Sequence, residues 1–187
     1  MRIVRGFLKG KKLDFLKSPT TRPLRDFVKE NIFNIINHSN LINIKLENAN
    51  VLDLYSGVGS FGIECISQGG KKTTFIEYNS KALTILKRNL NNLKIEKQSE
   101  VIEKKTTSFF SQLNNKNKFE IIFFDPPFAE NFFIDELRLI KNSTICKKNH
   151  LIIIHREVNA KDELNKIINI LMVRSYGRSK IIFGTLT

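Results

Sequence analysis

From Asn50 onward, short apolar runs alternate with segments of helical period, and few folds accommodate such a series. The reading is Val51 to Tyr55 as strand, Phe61 to Ser67 as helix, Thr73 to Glu77 as strand and Ser80 to Leu93 as helix. It continues with Glu100 to Glu103 as strand, Thr107 to Leu113 as helix, Glu120 to Asp125 as strand, Phe133 to Ile140 as helix and Leu151 to His155 as strand. Strands regularly separated by helices predict an α/β chain with a doubly wound, mostly parallel sheet. The end breaks the series. A helix is expected over Lys161 to Leu171, followed by two strand-like runs, Met172 to Tyr176 and Lys180 to Leu186. Gly177-Arg178-Ser179 between them reads as a hairpin turn, with one strand antiparallel to the rest.

Ahead of Asn50 the chain is different in kind. Ser18-Pro19-Thr20-Thr21-Arg22-Pro23 reads as a turn, and apolar residues at Leu24, Phe27, Val28, Ile32, Phe33, Ile35 and Ile36 follow with a helical period. We divide the chain into a basic arm, residues 1–20, and a main domain, residues 21–187. The 31 Lys and Arg against 18 Asp and Glu leave a formal charge of +13. Such self-repulsion is most readily understood through a polyanionic partner. Much of the excess lies in the first thirty residues, where Arg2, Arg5, Lys9, Lys11, Lys12, Lys17, Arg22, Arg25 and Lys29 face only Asp14, Asp26 and Glu30. Phe7, Leu8, Phe15 and Leu16 lie among them, able to anchor the segment or to stack on bases while the cations meet phosphates. Arg2, Arg5, Lys9, Lys11, Lys12, Arg22 and Arg25 are the expected nucleic-acid contacts.

No apolar run approaches the roughly 20 residues of a membrane span, and no signal peptide is evident. Cys65 and Cys146 form no disulfide framework, and His38, His150 and His155 show no ligand spacing with them, so no metal is expected. A cytoplasmic monomer without membrane contact is the expectation.

The first strand runs into Ser56-Gly57-Val58-Gly59-Ser60-Phe61-Gly62 and then a helix. Glycines at 57, 59 and 62 match a spacing that lets backbone turn tightly against a nucleotide-like ligand. Dinucleotide oxidoreductases share it. Asp53 discriminates, because a carboxylate there suits a cationic sulfonium carrying a free amino group and would repel a pyrophosphate. Glu77 closes the second strand, where an acidic side chain can accept ribose hydroxyls. The expected cofactor contacts are Asp53, Tyr55, Gly57, Gly59, Glu77, Tyr78, Thr106 and Asp125.

The fourth strand empties into Asp125-Pro126-Pro127-Phe128. Two prolines cannot continue a central strand, so the backbone leaves the sheet in a fixed extended shape. An exocyclic amine there could donate one hydrogen to the Asp125 carboxylate and the other to the Pro126 carbonyl, holding its lone pair toward an activated methyl group. Phe128 would stack on the base, which must first be unstacked from its neighbours at a cost of a few kcal/mol. Asp125, Pro126, Pro127 and Phe128 are the expected catalytic segment.

With both motifs in place, the chain resembles the bacterial 16S rRNA (guanine-N2)-methyltransferases of the RsmD family from end to end. Met1-Arg2-Ile3-Val4, Gly10-Lys11-Lys12-Leu13, Thr21-Arg22-Pro23 and Val28 to Asn34 look like its N-terminal signature; Asp53, Gly57, Gly59, Glu77 and Asp125 to Phe128 match its methyltransferase motifs. Arg5, Leu24 and Lys105 depart from its usual residues. The resemblance implies a Rossmann-like class I methyltransferase fold, seven-stranded with a C-terminal antiparallel hairpin, and S-adenosyl-L-methionine as cofactor. It further implies methylation of the N2 amine of a guanine in the head of the small ribosomal subunit, with 16S rRNA in the subunit or an assembly intermediate as partner. Three alternatives stay open: a DNA adenine-N6 or other nucleic-acid amino-methyltransferase, for which the chain lacks room for a recognition domain; a non-catalytic RNA-binding relative; and a nicotinamide oxidoreductase, which Asp53 disfavours.

Overall fold

The computed structural model describes residues 1–16, 24–111, 118–127 and 132–187. Its strands are β1 (Asn50–Leu54), β2 (Lys72–Glu77), β3 (Ser99–Glu103), β4 (Phe119–Phe124), β5 (Cys146–Glu157), β6 (Ile168–Tyr176) and β7 (Ser179–Leu186). The helices are α1 (Asp26–His38), α2 (Ser60–Ser67), α3 (Ser80–Leu93), α4 (Thr106–Phe110) and α5 (Phe133–Lys141). One sheet of order β3-β2-β1-β4-β5-β7-β6 holds every strand. The first five strands are parallel, and β7 lies antiparallel between β5 and β6. This is the expected seven-stranded α/β sheet with its terminal hairpin. No helix among the described residues is long and apolar enough to cross a membrane.

The central strands are apolar on both sides because both sides are covered, as a parallel sheet requires. Val51, Ile121, Phe123, Leu151 and Ile153 pack with α1 and α2, whereas Leu52, Leu54, Ile122, Phe124, Ile152 and Ile154 pack with α4 and α5. A column of stacked rings ties the first layer together, Phe33 of α1 on Phe61 of α2 at 5.3 Å and Phe61 on Phe123 of β4 at 4.0 Å. Burying each of these rings is worth roughly 1.5–3 kcal/mol relative to exposure.

The helix expected over Lys161 to Leu171 does not form. Its apolar spacing is satisfied by a single turn, in which the amides of Ile167 and Ile168 both donate to the Leu164 carbonyl at 2.8 Å. Leu164, Ile167 and Ile168 are then already buried on the α4 and α5 side. From Ile168 the chain pairs with β7, and a register shift between Ile170 and Met172 accommodates the spacing that reads as helical period in the sequence. β5 likewise begins at Cys146, ahead of Leu151. The predicted Ser18-to-Pro23 turn lies outside the described residues except for Leu24 beyond it, and the expected end of the helix at Leu113 lies outside them as well.

Residues 1–13 are bound to the main sheet layer. Ile3, Leu8 and Leu13 are buried with Ile63, Ile66, Phe75, Leu86 and Leu90 of α2, β2 and α3. The Glu64 carboxylate on α2 accepts from the amides of Val4 and Arg5, each at 2.9 Å. Lys29 Nζ stands 3.4 Å from Glu64 and donates to the Arg2 carbonyl at 2.7 Å. Both side chains of this ion pair are fully buried. Lys29, one of the basic residues counted in the first thirty, is thus a core residue that holds the arm. Burial pulls its ammonium below the usual lysine range, while Glu64 and Asp26 oppose that shift. Removing one partner of such a pair would strand the other charge in the core, a loss of about 3–5 kcal/mol.

Candidate active site

The site lies where the parallel strands end. After Leu54 the backbone turns sharply: Tyr55 takes a left-handed φ of 58°, a conformation that costs a non-glycine residue about 1–3 kcal/mol and concentrates at functional sites. Gly57 and Gly59 follow at φ +56° and +87°. They differ in surroundings. A Cβ on Gly59 would meet Leu86 Cδ1 at 2.5 Å, so that glycine permits close packing of α2 on α3. A Cβ on Gly57 would have no heavy atom within 4 Å, so the turn opens there on free space.

Two carboxylates fasten this turn. Asp53, inside β1 and 1% exposed, accepts from the Gly62 amide at 2.9 Å and so fastens the first turn of α2 to the sheet. Burial raises its carboxyl well above the usual range, opposed by the Gly62 hydrogen bond and reinforced by repulsion from Asp125 and Glu77. Glu77 at the end of β2 accepts from Gly57 through Oε2 and from Tyr78 and Asn79 through Oε1, all at 2.8 Å. Asn79 in turn caps α3, accepting from Lys81 and Ala82 at 3.1 Å. A ligand bearing hydroxyl donors and a positive centre matches this donor-poor, acceptor-rich rim beside the open face of Gly57.

Tyr55 and Thr106 meet on a residue that sequence reasoning does not single out. The buried carboxylate of Glu136 on α5 accepts from the Tyr55 hydroxyl at 2.7 Å and from the Thr106 hydroxyl. Tyr78 is 58% exposed, with Lys105 Nζ 5.6 Å from its ring centroid.

The Asp125-Pro126-Pro127 segment leaves β4 one strand away. Asp125 sits just past Phe124, its amide 3.4 Å from the Leu54 carbonyl of β1. Its Oδ1 is 2.7 Å from His155 Nδ1 on β5. The next residue, Arg156, is 1% exposed and forms a forked pair with Asp162, Nε to Oδ2 at 3.1 Å and Nη2 to Oδ1 at 3.2 Å. Its guanidinium also lies over the Phe133 ring at 4.5 Å and donates through Nη1 to the Pro127 carbonyl at 3.3 Å. Pro126 is buried and Pro127 exposed; Phe128 lies outside the described residues.

The structure therefore gathers Asp53, Tyr55, Gly57, Gly59, Glu77, Tyr78, Thr106 and Asp125 around the carboxyl ends of β1 to β4. Arg2, Lys9, Lys11, Lys12 and Arg25 are exposed along the arm and the start of α1, Arg5 is half-buried, and Arg22 lies outside the described residues. Sequence reasoning misses Glu136, His155, Arg156 and Asp162. The one signal available for His155 is position, since it ends the strand predicted after β4, and Arg156 follows it directly. Among the described residues no three His, Cys, Asp or Glu side chains are placed to hold a metal ion.

The family described as Conserved hypothetical protein 95 matches residues 1–185. Ribosomal RNA small subunit methyltransferase D of Haemophilus influenzae is 35% identical over 158 residues, covering 84% of this chain and 79% of that protein. Among solved structures, yhhF of Escherichia coli, described provisionally as a methyltransferase, superposes with a TM-score of 0.84 at 25% identity, covering 100% of this chain and 97% of that one. SMU.776, likewise described provisionally as a methyltransferase and complexed with SAH, shares the fold at a TM-score of 0.67 and 16% identity, over 84% of this chain and 49% of that one. The match over nearly the whole length makes this chain a member of the Conserved hypothetical protein 95 family, to which ribosomal RNA small subunit methyltransferase D belongs.

Proposed function

We propose that this enzyme methylates the exocyclic N2 amine of a guanine in 16S rRNA, acting in the cytoplasm as a monomer on the small subunit or its assembly intermediate. The observation that carries the reading is the Asp125-Pro126-Pro127 segment, which leaves β4 beside the glycine turn of β1 with its acid held by His155 and its second proline held by Arg156. S-adenosylmethionine, when bound, supplies a methyl group on a cationic sulfur. Glu77 is the ribose acceptor: of about four acceptor positions on a carboxylate, three are taken by amides, which leaves Oε2 room for one hydroxyl. Asp53 acts from beneath, fixing α2 through the Gly62 amide, and a bound cation favours its ionised form.

At the reacting end, the base amine is conjugated with its ring and nucleophilic only when its lone pair is aimed. Asp125 accepts one amine hydrogen and the Pro126 carbonyl the other, so the lone pair points at the methyl. Such positioning supplies part of the ~7–11 kcal/mol that proximity and orientation can reach. The proton released after transfer leaves the amine on the Asp125 side. Arg2, Arg5, Lys9, Lys11, Lys12, Arg22 and Arg25 meet RNA phosphates, and exposed Phe7 and Phe15 offer rings among them.

Replacing Lys9, Lys11 and Lys12 by alanine should weaken binding to small subunits and flatten its salt dependence, by roughly one unit of double-log slope for each phosphate no longer neutralised. An unchanged slope in filter-binding titrations would make the arm a purely structural flap.

Asp53→Asn keeps an oxygen for the Gly62 amide and removes the charge. In wild type the folded state prefers Asp53 protonated, so ionised Asp53 costs stability as pH rises past the unfolded value of about 4, up to its raised native value. The variant should therefore melt higher than wild type at pH 8 with no advantage at pH 4, and bind the methyl donor about 10-fold or more weakly. A melting temperature lowered equally at both pH values would contradict this account of Asp53.

The decisive test is single-turnover methylation of small subunits. Asp125→Ala should slow it at least ~100-fold, the scale of losing one preorganised polar group, with donor affinity within a few-fold of wild type. Asp125→Asn, which keeps one acceptor oxygen, should retain more activity. Wild-type turnover by the alanine variant would reduce the segment to a strand terminator.

A further inference from the structure

His155 lies outside the glycine turn and the Asp-Pro-Pro segment, yet its ring is joined to the reacting end. The parallel register pairs Phe124 of β4 with Ile154 of β5. One step further along each strand stand Asp125 and His155, so the two side chains meet because the strands are adjacent, not because the residues are close in sequence. The contact is 2.7 Å between Nδ1 and Oδ1. The imidazole is the deeper partner, 8% exposed against 25% for the carboxylate. On its other flank β5 is tied to β7, where His155 pairs with Ile181, a residue buried in the core. The ring is therefore carried by a central, doubly paired strand, and the carboxylate it touches stands at the edge of the open site.

We propose, on the reading that an exocyclic amine is the acceptor, that His155 is a positioning residue that aims Asp125. An ionised carboxylate only accepts, so Nδ1 carries the hydrogen and donates it to Oδ1. That bond holds Oδ1 from behind and assigns Oδ2 to the amine. An aspartate side chain free at both χ angles has no single aim, and a donor anchored on β5 holds this one in place. Removing the donor leaves the acid present but no longer aimed, so the cost falls on the rate of methyl transfer and not on binding.

The test compares His155→Leu, which removes the donor at similar volume, with His155→Asn, whose side-chain amide can replace Nδ1–H. Single-turnover methylation of small subunits from cells lacking this protein should slow roughly 10- to 100-fold in the leucine variant, the span of a hydrogen bond to a charged group. The asparagine variant should recover most of that rate. KM for subunits and calorimetric affinity for S-adenosylhomocysteine should stay within about 3-fold of wild type in both. A leucine variant at the wild-type rate overturns the proposal. So does equal loss in the two variants accompanied by weaker S-adenosylhomocysteine binding, which would mark His155 as a core residue. A wild-type protein that methylates no base amine would instead remove the reading on which the proposal rests, and is recognised without any variant.

Discussion

Three carboxylates, Asp53, Glu77 and Asp125, stand at the carboxyl ends of adjacent parallel strands, and the surrounding chain is arranged to hold them there. Each has its own donors. Asp53 takes the Gly62 amide, Glu77 takes the amides of Gly57, Tyr78 and Asn79, and Asp125 takes His155. The same bonds shape the site, because the amide donors on Asp53 and Glu77 belong to the glycine turn, the start of α2 and the entry to α3. Burial raises the Asp53 carboxyl, and the Gly62 amide that opposes this shift is also the bond that sets α2 against the sheet.

The N-terminal arm enters the same arrangement from the other side of α2. Its backbone amides are fastened to Glu64, and Lys29 neutralises that acid within the core. The arm is thus placed against the helix that begins at the glycine turn, and Arg2, Lys9, Lys11 and Lys12 are presented on its surface. A cation and an anion buried together carry a desolvation cost, so their value here is in fixing one geometry for the arm.

How much of this is legible in the sequence depends on whether the signal is local. The glycine turn, Glu77 at a strand end and the double proline after β4 announce themselves within a few residues, and the structure brings them together as their strand positions imply. His155 and Glu136 act through partners about thirty residues or more away, as Arg156 does through the Pro127 carbonyl, and nothing at those positions marks them before strand order and register are known. Lys29 reads only as one more basic residue near the N-terminus because its burial depends on Glu64, far along the chain. The Lys161-to-Leu171 helix fails for a different reason: one turn followed by a shifted strand gives the apolar spacing of a helix, and only the open edge of β7 decides between them.

The central claim is that the acidic rim and the Asp125 segment act on a guanine amine of the small subunit. Mass spectrometry of nucleosides from 16S rRNA, compared between cells with and without this protein, tests it most directly. The account predicts that one N2-methylguanosine disappears without the protein and returns when it is restored. An unchanged N2-methylguanosine content, with a different methylated nucleoside missing in its place, would contradict it.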